Sequence, residues 1–311
     1  MNRRKRLLVL LVSFALLLTL PSCGTGAARK PTVGVAWRSD REAESFQAVC
    51  KAIEIAGGTP VVLDQVLSVD LAYENGLLTD GKEPDGSLTA AAAKLVRCNR
   101  WQGSNAAAVM DGITAIVFPG GEDISPTLYY DAQLPETDEG FSAERDVSDY
   151  LLMSYCLDND IAILAICRGM QMLSVVSGAE MMQDIPDYME SLGLAYRYEH
   201  RNEPPSPGAY RDFAFHDVTV TDENSLLCRI IGETVVRDAP SWHHQAVKSV
   251  AGTRLVVTGT AQTSGVDMIE AVERPDKAFA LGIQWHPEIA VVRELDDTSV
   301  RFFTAILDAA K

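Results

Sequence analysis

A cysteine lies where the sequence predicts a sharp turn from a strand into a helix. Residues Ala165–Gly169 read Ala-Ile-Cys-Arg-Gly and close an unbroken apolar run. A nucleophile on such a turn needs small neighbours two residues to either side, and Ala165 and Gly169 are small. The positive end of the helix dipole also favours a thiolate there. Taken alone, Cys167 is equally compatible with a buried structural cysteine, so the interpretation depends on its partners.

A histidine and a glutamate follow the last long apolar strand, where Gln284–Glu288 read Gln-Trp-His-Pro-Glu. Open α/β sheets place their sites at the carboxyl ends of the strands. At this edge His286 can act as a general base, and Glu288 can orient the imidazole ring and stabilise the imidazolium. The two residues therefore predict the partners that a nucleophilic Cys167 requires.

Two glycines follow a third apolar run, in the segment Pro119-Gly120-Gly121-Glu122-Asp123-Ile124-Ser125-Pro126. Consecutive glycines let backbone N–H groups approach a substrate closely, as an oxyanion hole requires. The backbone N–H of Arg168 is a second candidate donor, and Gln171 shares the helix face of Cys167. Each of the three elements is a weak signal by itself. Together, each at a strand end, they strongly indicate a nucleophilic site.

Alternating strands and helices position these elements. The predicted strands include Val33–Trp37, Pro60–Leu63, Ile113–Phe118 and Ile161–Ile166, separated by helices such as Ser45–Ala56. Four later strands at Phe213–Val220, Leu255–Gly259, Val266–Val272 and Ala278–Gln284 have short connections, and Asp297–Ala309 closes the chain as a helix. This order predicts an α/β fold: one doubly wound, mostly parallel sheet in a single domain, with late antiparallel strands.

An insert of about residues 65–110 separates the second and third strands. Turn signals at Asn75-Gly76, Asp80-Gly81 and Asp85-Gly86 predict a hairpin followed by loops, and Leu88–Met110 is predicted as one helix. We expect this insert to form a lid or rim over the predicted site that selects among substrates.

Composition limits the classes of function. The 311 residues include 43 acidic and 27 basic side chains, a formal net charge of −16, and 47% are apolar. The apolar content excludes a disordered chain, and the acidic balance argues against nucleic-acid binding. Six cysteines are too few for a disulfide scaffold.

The first residues predict an export signal. Arg3–Arg6 are all basic, and Leu7–Leu20 form an apolar stretch too short for a typical spanning helix. The stretch ends Leu20-Pro21-Ser22-Cys23-Gly24, which resembles a bacterial lipobox, so Cys23 is the expected lipidation site. We expect a lipoprotein signal peptide at 1–22, a lipidated tether at 23–31, and a domain at 32–311 held outside the cytoplasm at the cell membrane. A plain signal peptide or an uncleaved anchor is the alternative.

The combined motifs resemble the class I glutamine amidotransferase-like fold, and more closely the γ-glutamyl-γ-aminobutyrate hydrolase family. The resemblance spans about residues 32–308. It rests on Gly120–Pro126, Cys167–Gln171, Gln183–Pro186, His200-Arg201, Ser241–Ala246, Ile269–Ala271 and His286–Glu288.

The resemblance implies a role for each matching residue. Cys167 is the expected nucleophile, His286 the base and Glu288 its orienting partner. The N–H groups of Gly121 and Arg168 are the expected oxyanion donors. Further residues are expected to contact the substrate, namely Gly120, Gln171, His243 and His244. No cofactor is implied, the substrate is a small γ-glutamyl compound, and a homodimer is compatible with the family.

The remaining polar candidates receive structural interpretations. We expect at most one of His243 and His244 to face the pocket, because adjacent residues in a strand point to opposite faces. His200 and His216 are expected at the surface or in packing, and no spacing among the five histidines matches a metal-ligand set. The acidic run Asp131–Asp149 is expected to be solvated. Four cysteines are expected in the core, namely Cys50, Cys98, Cys156 and Cys228.

These observations predict a lipid-anchored cysteine hydrolase that cleaves γ-glutamyl amides through a thioester. Two other functions stay open. One is a glutaminase that feeds ammonia to a partner synthetase, although no synthetase segment accompanies it. The other is a non-catalytic surface lipoprotein that binds γ-glutamyl compounds, which has no need of a nucleophile.

Overall fold

The computed structural model describes residues 30–129, 140–202 and 213–310, so the predicted signal sequence and Cys23 lie outside the described residues. The strands of this part are β1 (Thr32–Val35), β2 (Thr59–Val62), β3 (Tyr73–Glu74), β4 (Leu77–Leu78), β5 (Ala115–Phe118), β6 (Ala162–Ile166), β7 (Glu180–Met182), β8 (Ala214–Val220), β9 (Val235–Ser241), β10 (Ala246–Ser249), β11 (Val256–Thr263), β12 (Val266–Glu273) and β13 (Ala280–Ile283).

The helices of the same part are α1 (Glu44–Ile55), α2 (Ala90–Asn99), α3 (Ala106–Val109), α4 (Ala143–Asp158), α5 (Arg168–Ser177), α6 (Ile185–Ser191), α7 (Leu226–Ile231), α8 (Pro287–Val292) and α9 (Val300–Ala309). Two short 3₁₀ helices occur at Arg100–Gly103 and Pro126–Tyr129. Over the described ranges, no helix combines the length and apolar character that a membrane crossing needs.

Five parallel strands form the centre of the sheet, in the order β2-β1-β5-β6-β13. Alternate residues along them enter two different cores. Ile116 and Phe118 pack with α2, α4 and α5, whereas Val117 packs with α1 and α9 on the opposite face. Helices therefore cover both faces, and the predicted doubly wound, mostly parallel fold is confirmed.

Antiparallel strands extend the sheet beyond β13 through β12, β11, β8 and β9, and β10 pairs with β12 and β7. The late antiparallel character agrees with the expectation from sequence. Strands β7, β9 and β10 were not expected, because three- and four-residue strands show too few alternations and β9 contains a proline that is unusual within a sheet.

The insert contains the predicted hairpin. Strands β3 and β4 pair across Asn75 and Gly76, whose φ angles of 52° and 81° are those of a type I′ turn. The prediction of one helix over Leu88–Met110 was wrong, because the α-helical conformation is interrupted between α2 and α3. Gly103 there accepts a hydrogen bond from the N–H of Val69, and the Asn105 side chain accepts one from the N–H of Leu67. These bonds to a neighbouring segment replace helical ones.

Candidate active site

Cys167 occupies a strained turn between β6 and α5. Its φ and ψ angles are 52° and −109°, in a region that side-chain-bearing residues rarely adopt. The backbone N–H of Cys167 donates to the carbonyl of Ile283 in β13 at 2.8 Å, which fixes the turn to the neighbouring strand. Cys167 is buried, with 5% of its surface exposed, and its Sγ lies 3.9 Å from the Trp242 carbonyl oxygen.

The small residue after the turn is required by close packing. A Cβ atom on Gly169 would overlap the Phe118 carbonyl oxygen and lie 2.9 Å from the Phe118 Cβ. Glycine at this position therefore lets α5 begin directly against β5. The same approach brings the N–H of Arg168, at the first position of α5, to the sheet edge, where an N–H has no acceptor within its own helix.

His286 and Glu288 form a buried pair beside Cys167. Nδ1 of the His286 ring lies 2.7 Å from Oε1 of Glu288, and the backbone N–H of His286 donates to the Pro240 carbonyl at 2.8 Å. The bond at Nδ1 leaves Nε2 as the ring nitrogen that can exchange a proton with the thiol. Burial alone would lower the pKa of His286, but the negative charges of Glu288 and Cys167 outweigh it and raise the pKa to about 10. The arrangement favours the charged imidazolium form of His286.

The double glycine after β5 lies against the same histidine. A Cβ on Gly120 would come within 2.9 Å of Cε1 of His286, and Gly121 lines the pocket with a φ of +152°. Arg145 donates to the carbonyls of Pro119 and Gly120 at 2.8 and 2.9 Å, and so turns the peptide dipoles of this loop. Gly120 therefore supports the loop, and Gly121 is the glycine at the pocket surface.

Buried arginines and carboxylates brace the loop and helix α5 from behind. Arg168 pairs with Asp149 and with Asp146, the latter at 2.5 Å, and both carboxylates are almost completely buried. Burial raises the pKa of Asp146 to about 6 against the opposing effect of Arg168. The prediction that Asp131–Asp149 is a solvated face was wrong for the described part of the run, because these carboxylates hold a catalytic-turn arginine.

The pocket brings together six of the predicted site residues, which are Gly121, Cys167, Gln171, His243, His244 and His286. Residues 242–245 form a bend between β9 and β10 instead of a strand, so strand alternation does not set the directions of the two adjacent histidines. Both residues border the pocket, but the His244 ring contacts Asp123 and Asp184, whereas the His243 ring contacts Glu270. Four further lining residues were not predicted, namely Asp123, Arg201, Trp242 and Gln245, although all four lie within motifs that carry the family resemblance.

Opposite charges line the pocket near the thiol. His244 lies 3.0 Å from Asp123 through Nε2 and 3.0 Å from Asp184 through Nδ1. Burial opposes the charged form, but the two carboxylates raise the pKa of His244 to about 9. Arg201 supplies a second positive charge and stacks over the Trp242 ring at 5.3 Å. Such a lining can hold both an ammonium and a carboxylate group of one small ligand.

The other histidines are buried together. The prediction placed His200 and His216 at the surface or in ordinary packing, but both contact Glu270, and so does His243. His200, His243 and Glu270 have at most 2% of their side chains exposed, and His216 has 9%. Burial lowers the pKa of His243 to about 4 although the Glu270 charge acts in the opposite direction.

The predicted core cysteines divide by exposure. Cys156 is buried and Cys50 and Cys228 are partly buried, but Cys98 is exposed on α2, so the prediction was wrong for Cys98. All cysteines within the described ranges are free thiols.

The insert contacts the back of the glycine loop. The N–H of Leu88 donates to the Ser125 hydroxyl at 2.8 Å, and Ser125 donates to Asp146 at 2.5 Å. Among the described residues, those that line the pocket include none from the insert. The structure therefore does not support the expected lid or rim, and instead connects the insert to the brace behind Arg168.

The fold and this arrangement of thiol, imidazole and carboxylate are of the glutamine amidotransferase-like kind and are consistent with a cysteine-type amide hydrolase. Comparison with known proteins gives the family. The Peptidase C26 family matches residues 89–288, which is more than half of the chain, and the protein belongs to this family.

Three relatives share about a third of their aligned residues with this chain. A "putative glutamine amidotransferase" of Mycobacterium tuberculosis is 36% identical over 65% of this chain and 57% of its own length. Protein NtpR of Enterococcus hirae is 34% identical over 59% of this chain and 70% of its own. The γ-glutamyl-γ-aminobutyrate hydrolase of Escherichia coli is 32% identical over 57% of this chain and 64% of its own.

A solved structure supports the fold class. A protein from Thermoplasma acidophilum, described as a "putative GMP synthase" component, superposes with a TM-score of 0.51 at 13% identity. The match covers 91% of this chain and 94% of that one.

Proposed function

We propose that this protein hydrolyses γ-glutamyl amides and releases glutamate and an amine. The observation that carries the proposal is the pairing of the Cys167–His286–Glu288 group with a pocket wall of opposite charges. A γ-glutamyl group carries an α-ammonium and an α-carboxylate. Asp123 suits the ammonium, and Arg201 suits the carboxylate. The relative from Escherichia coli, named as a γ-glutamyl-γ-aminobutyrate hydrolase, supports the same substrate class.

Acylation begins with attack of the Cys167 thiolate on the γ-carbonyl carbon. The carbonyl oxygen becomes an oxyanion, which the backbone N–H groups of Gly121 and Arg168 stabilise. The imidazolium of His286 donates its Nε2 proton to the departing amine as the C–N bond breaks. The product is a γ-glutamyl thioester, and Glu288 holds the ring in the required tautomer throughout.

Deacylation uses the histidine in its other role. Neutral His286 takes a proton from a water molecule, which attacks the thioester carbonyl. The second tetrahedral intermediate collapses with cleavage of the C–S bond, so glutamate leaves and the imidazolium and thiolate are restored.

Glutamate release from a panel of γ-glutamyl amides tests the proposal. The full chain in mild detergent is assayed against γ-glutamyl derivatives of aminobutyrate, polyamines and amino acids, with free glutamine included. Cys167→Ala should abolish release, and Cys98→Ala is the matched control because that thiol is exposed and outside the pocket. Turnover of glutamine alone would indicate a glutaminase that serves a synthetase, and binding without any turnover would indicate a non-catalytic binding protein.

We propose that Cys23 anchors the enzyme to the outer side of a bacterial membrane through lipid. The support is the basic, apolar and Leu-Pro-Ser-Cys order of residues 3–23. Labelling with a palmitate analogue should mark the wild type and leave Cys23→Ser unlabelled. Equal labelling of both forms would contradict the anchor.

A further inference from the structure

Three imidazoles converge on one carboxylate beside the pocket. Nδ1 of His200 lies 3.1 Å from Oε1 of Glu270, Nε2 of His243 lies 3.5 Å from the same oxygen, and Nε2 of His216 lies 3.8 Å from Oε2. One ligand atom from each of the four residues lies within 4.8 Å of all the others. The four come from the loop before residue 203, β8, the 242–245 bend and β12, so the tertiary fold assembles the group.

The hydrogen bonds of the outer ring atoms fix where the lone pairs point. Nδ1 of His243 lies 2.8 Å from the carbonyl of Gln245, which can only accept, so Nδ1 carries the proton. Nδ1 of His216 lies 3.4 Å from the carbonyl oxygen of Asp217, so this Nδ1 also carries the proton. In both rings Nε2 is then an acceptor that faces the Glu270 carboxylate, which is also an acceptor.

In His216 and His243 an acceptor nitrogen therefore faces an acceptor oxygen in a buried space, an arrangement that a proton or a metal ion between them stabilises. Within the described residues, the inward ring nitrogen of each histidine and both oxygens of Glu270 are buried and find no hydrogen-bond partner outside the group. Buried polar atoms without partners cost free energy, so their convergence at one point indicates a ligand.

We propose that His200, His216, His243 and Glu270 bind one divalent transition-metal ion of the Zn²⁺ class. Bonds of about 2.0–2.1 Å in a tetrahedron require ligand atoms about 3.3–3.4 Å apart. The three histidine-to-Glu270 separations of 3.1, 3.5 and 3.8 Å, the last to the second carboxylate oxygen, bracket this value, and all four ligand atoms lie within 4.8 Å of one another. Imidazole nitrogen and carboxylate oxygen are ligands that zinc accepts, and four protein ligands form the closed set of a structural site.

The outer contacts match those of a metal centre. The carbonyls of Gln245 and Asp217 hold the outer N–H groups of two ligands, and Oγ1 of Thr263 lies 2.5 Å from Nε2 of His200. Such partners orient metal-bound imidazoles. The ion ties the 242–245 bend to β8 and β12. Because this bend supplies the Trp242 carbonyl near the Cys167 thiol, the ion fixes one wall of the pocket without touching the reacting atoms.

Metal content and spectroscopy of the full chain test the proposal independently of any hydrolase activity. Protein stripped with dipicolinate is titrated with Zn²⁺ and with Co²⁺. We expect one ion per chain, a tetrahedral Co²⁺ absorption spectrum without a thiolate charge-transfer band, and a higher thermal midpoint with Zn²⁺. Sub-stoichiometric binding, an octahedral Co²⁺ spectrum or an unchanged midpoint would overturn the proposal.

Variants locate the ion. His216→Ala and Glu270→Gln should each weaken Zn²⁺ binding at least about tenfold, because each removes a ligand. Cys167→Ala keeps all four ligands and should bind as the wild type does, and His244→Asn is a matched histidine control outside the group. If a ligand variant fails to fold, the wild-type stoichiometry and Co²⁺ spectrum still decide the matter. Equal affinity in His216→Ala and wild type, or loss of the ion in Cys167→Ala, would contradict the site.

Discussion

Two buried groups near the 242–245 bend combine the same types of side chain, imidazole and carboxylate, in different ways. One is the triad of Cys167, His286 and Glu288, and the other is the cluster of three histidines around Glu270. Glu288 contacts a single imidazole, His286, two residues away in sequence, and a thiol lies on the far side of that ring. Glu270 contacts three imidazoles from distant parts of the chain, among them His243. One group has two anions around one base, and the other has one anion among three bases.

The ratio of anions to imidazoles shifts the pKa of His286 and of His243 in opposite directions. Both sites are buried, which lowers a histidine pKa. At His286 the two negative charges outweigh burial and raise the pKa to about 10, whereas at His243 the charge of one shared carboxylate does not, and the pKa falls to about 4. At His286 a second anion assists the carboxylate and the charged form is favoured, whereas at His243 burial prevails and the neutral form is favoured.

The largest expected effect separates the two groups by catalysis. His286→Ala removes the proton carrier and should lower kcat by about 10⁴–10⁶-fold. His216→Ala changes the second group and should cost much less, under about a hundredfold, since that ring does not line the pocket. The measurement is steady-state glutamate release by both variants. Comparable losses in the two would show that the groups are not functionally distinct.

The second expected effect is on pH dependence. His286 must be protonated to release the amine, so kcat should fall as the pH rises through about 10. Glu288→Gln removes an anion that raises this pKa, so the alkaline limb should move to lower pH and kcat should fall by roughly 10⁴-fold.

Stability should follow the same ionisation. The folded pKa of His286 lies above its ordinary value of 6.5, so the stabilisation is fully present below that value and is lost as the pH rises through about 10. The measurements are kcat and the thermal midpoint across this range. An alkaline limb at the same pH in wild type and Glu288→Gln would contradict the assigned role of the carboxylate.

The third expected effect is on the free energy of unfolding and concerns the buried guanidinium of Arg168. Arg168 holds Asp146 and Asp149. Arg168→Met leaves Asp146 with the Ser125 hydrogen bonds and Asp149 with Arg145 as their remaining described partners. The loss of the buried positive charge should lower the free energy of unfolding by up to about 3–5 kcal/mol. Arg254→Met is the matched control, because Arg254 is 77% exposed and its pair with Asp276 should contribute less than about 1 kcal/mol. Urea unfolding measures both. Equal losses would mean that burial does not set the strength of these pairs.

The elements of the triad could be predicted because their signals are local. They lie within a few neighbouring positions, as with the small residues around Cys167 and the two-residue spacing of His286 and Glu288. The same holds for the hairpin turn at Asn75-Gly76. Local backbone geometry follows from such short patterns, so these features and the parallel centre of the sheet were visible in the sequence alone.

The second group and the brace could not be predicted because their partners are distant. Glu270 on β12 meets His200, which lies in a loop far away in sequence, only through tertiary packing, and Arg168 meets Asp149 only because α5 packs on α4. A charge run in sequence looks the same whether its partner is water or a buried arginine. The argument from strand alternation also did not apply to His243 and His244, because residues 242–245 form a bend and not a strand.

The smallest expected effect distinguishes support of a ligand from support of a proton carrier. Thr263→Val removes the hydroxyl at 2.5 Å from Nε2 of His200 and leaves that buried nitrogen without this partner. The free energy of unfolding should fall by about 1–3 kcal/mol, and Zn²⁺ affinity should fall by about 10–100-fold. The alkaline limb of kcat should stay in place, since Thr263 does not contact His286. Urea unfolding, zinc titration and the pH profile of one variant therefore test both groups together, and a shifted limb would show that the imidazole groups are electrostatically coupled across the bend.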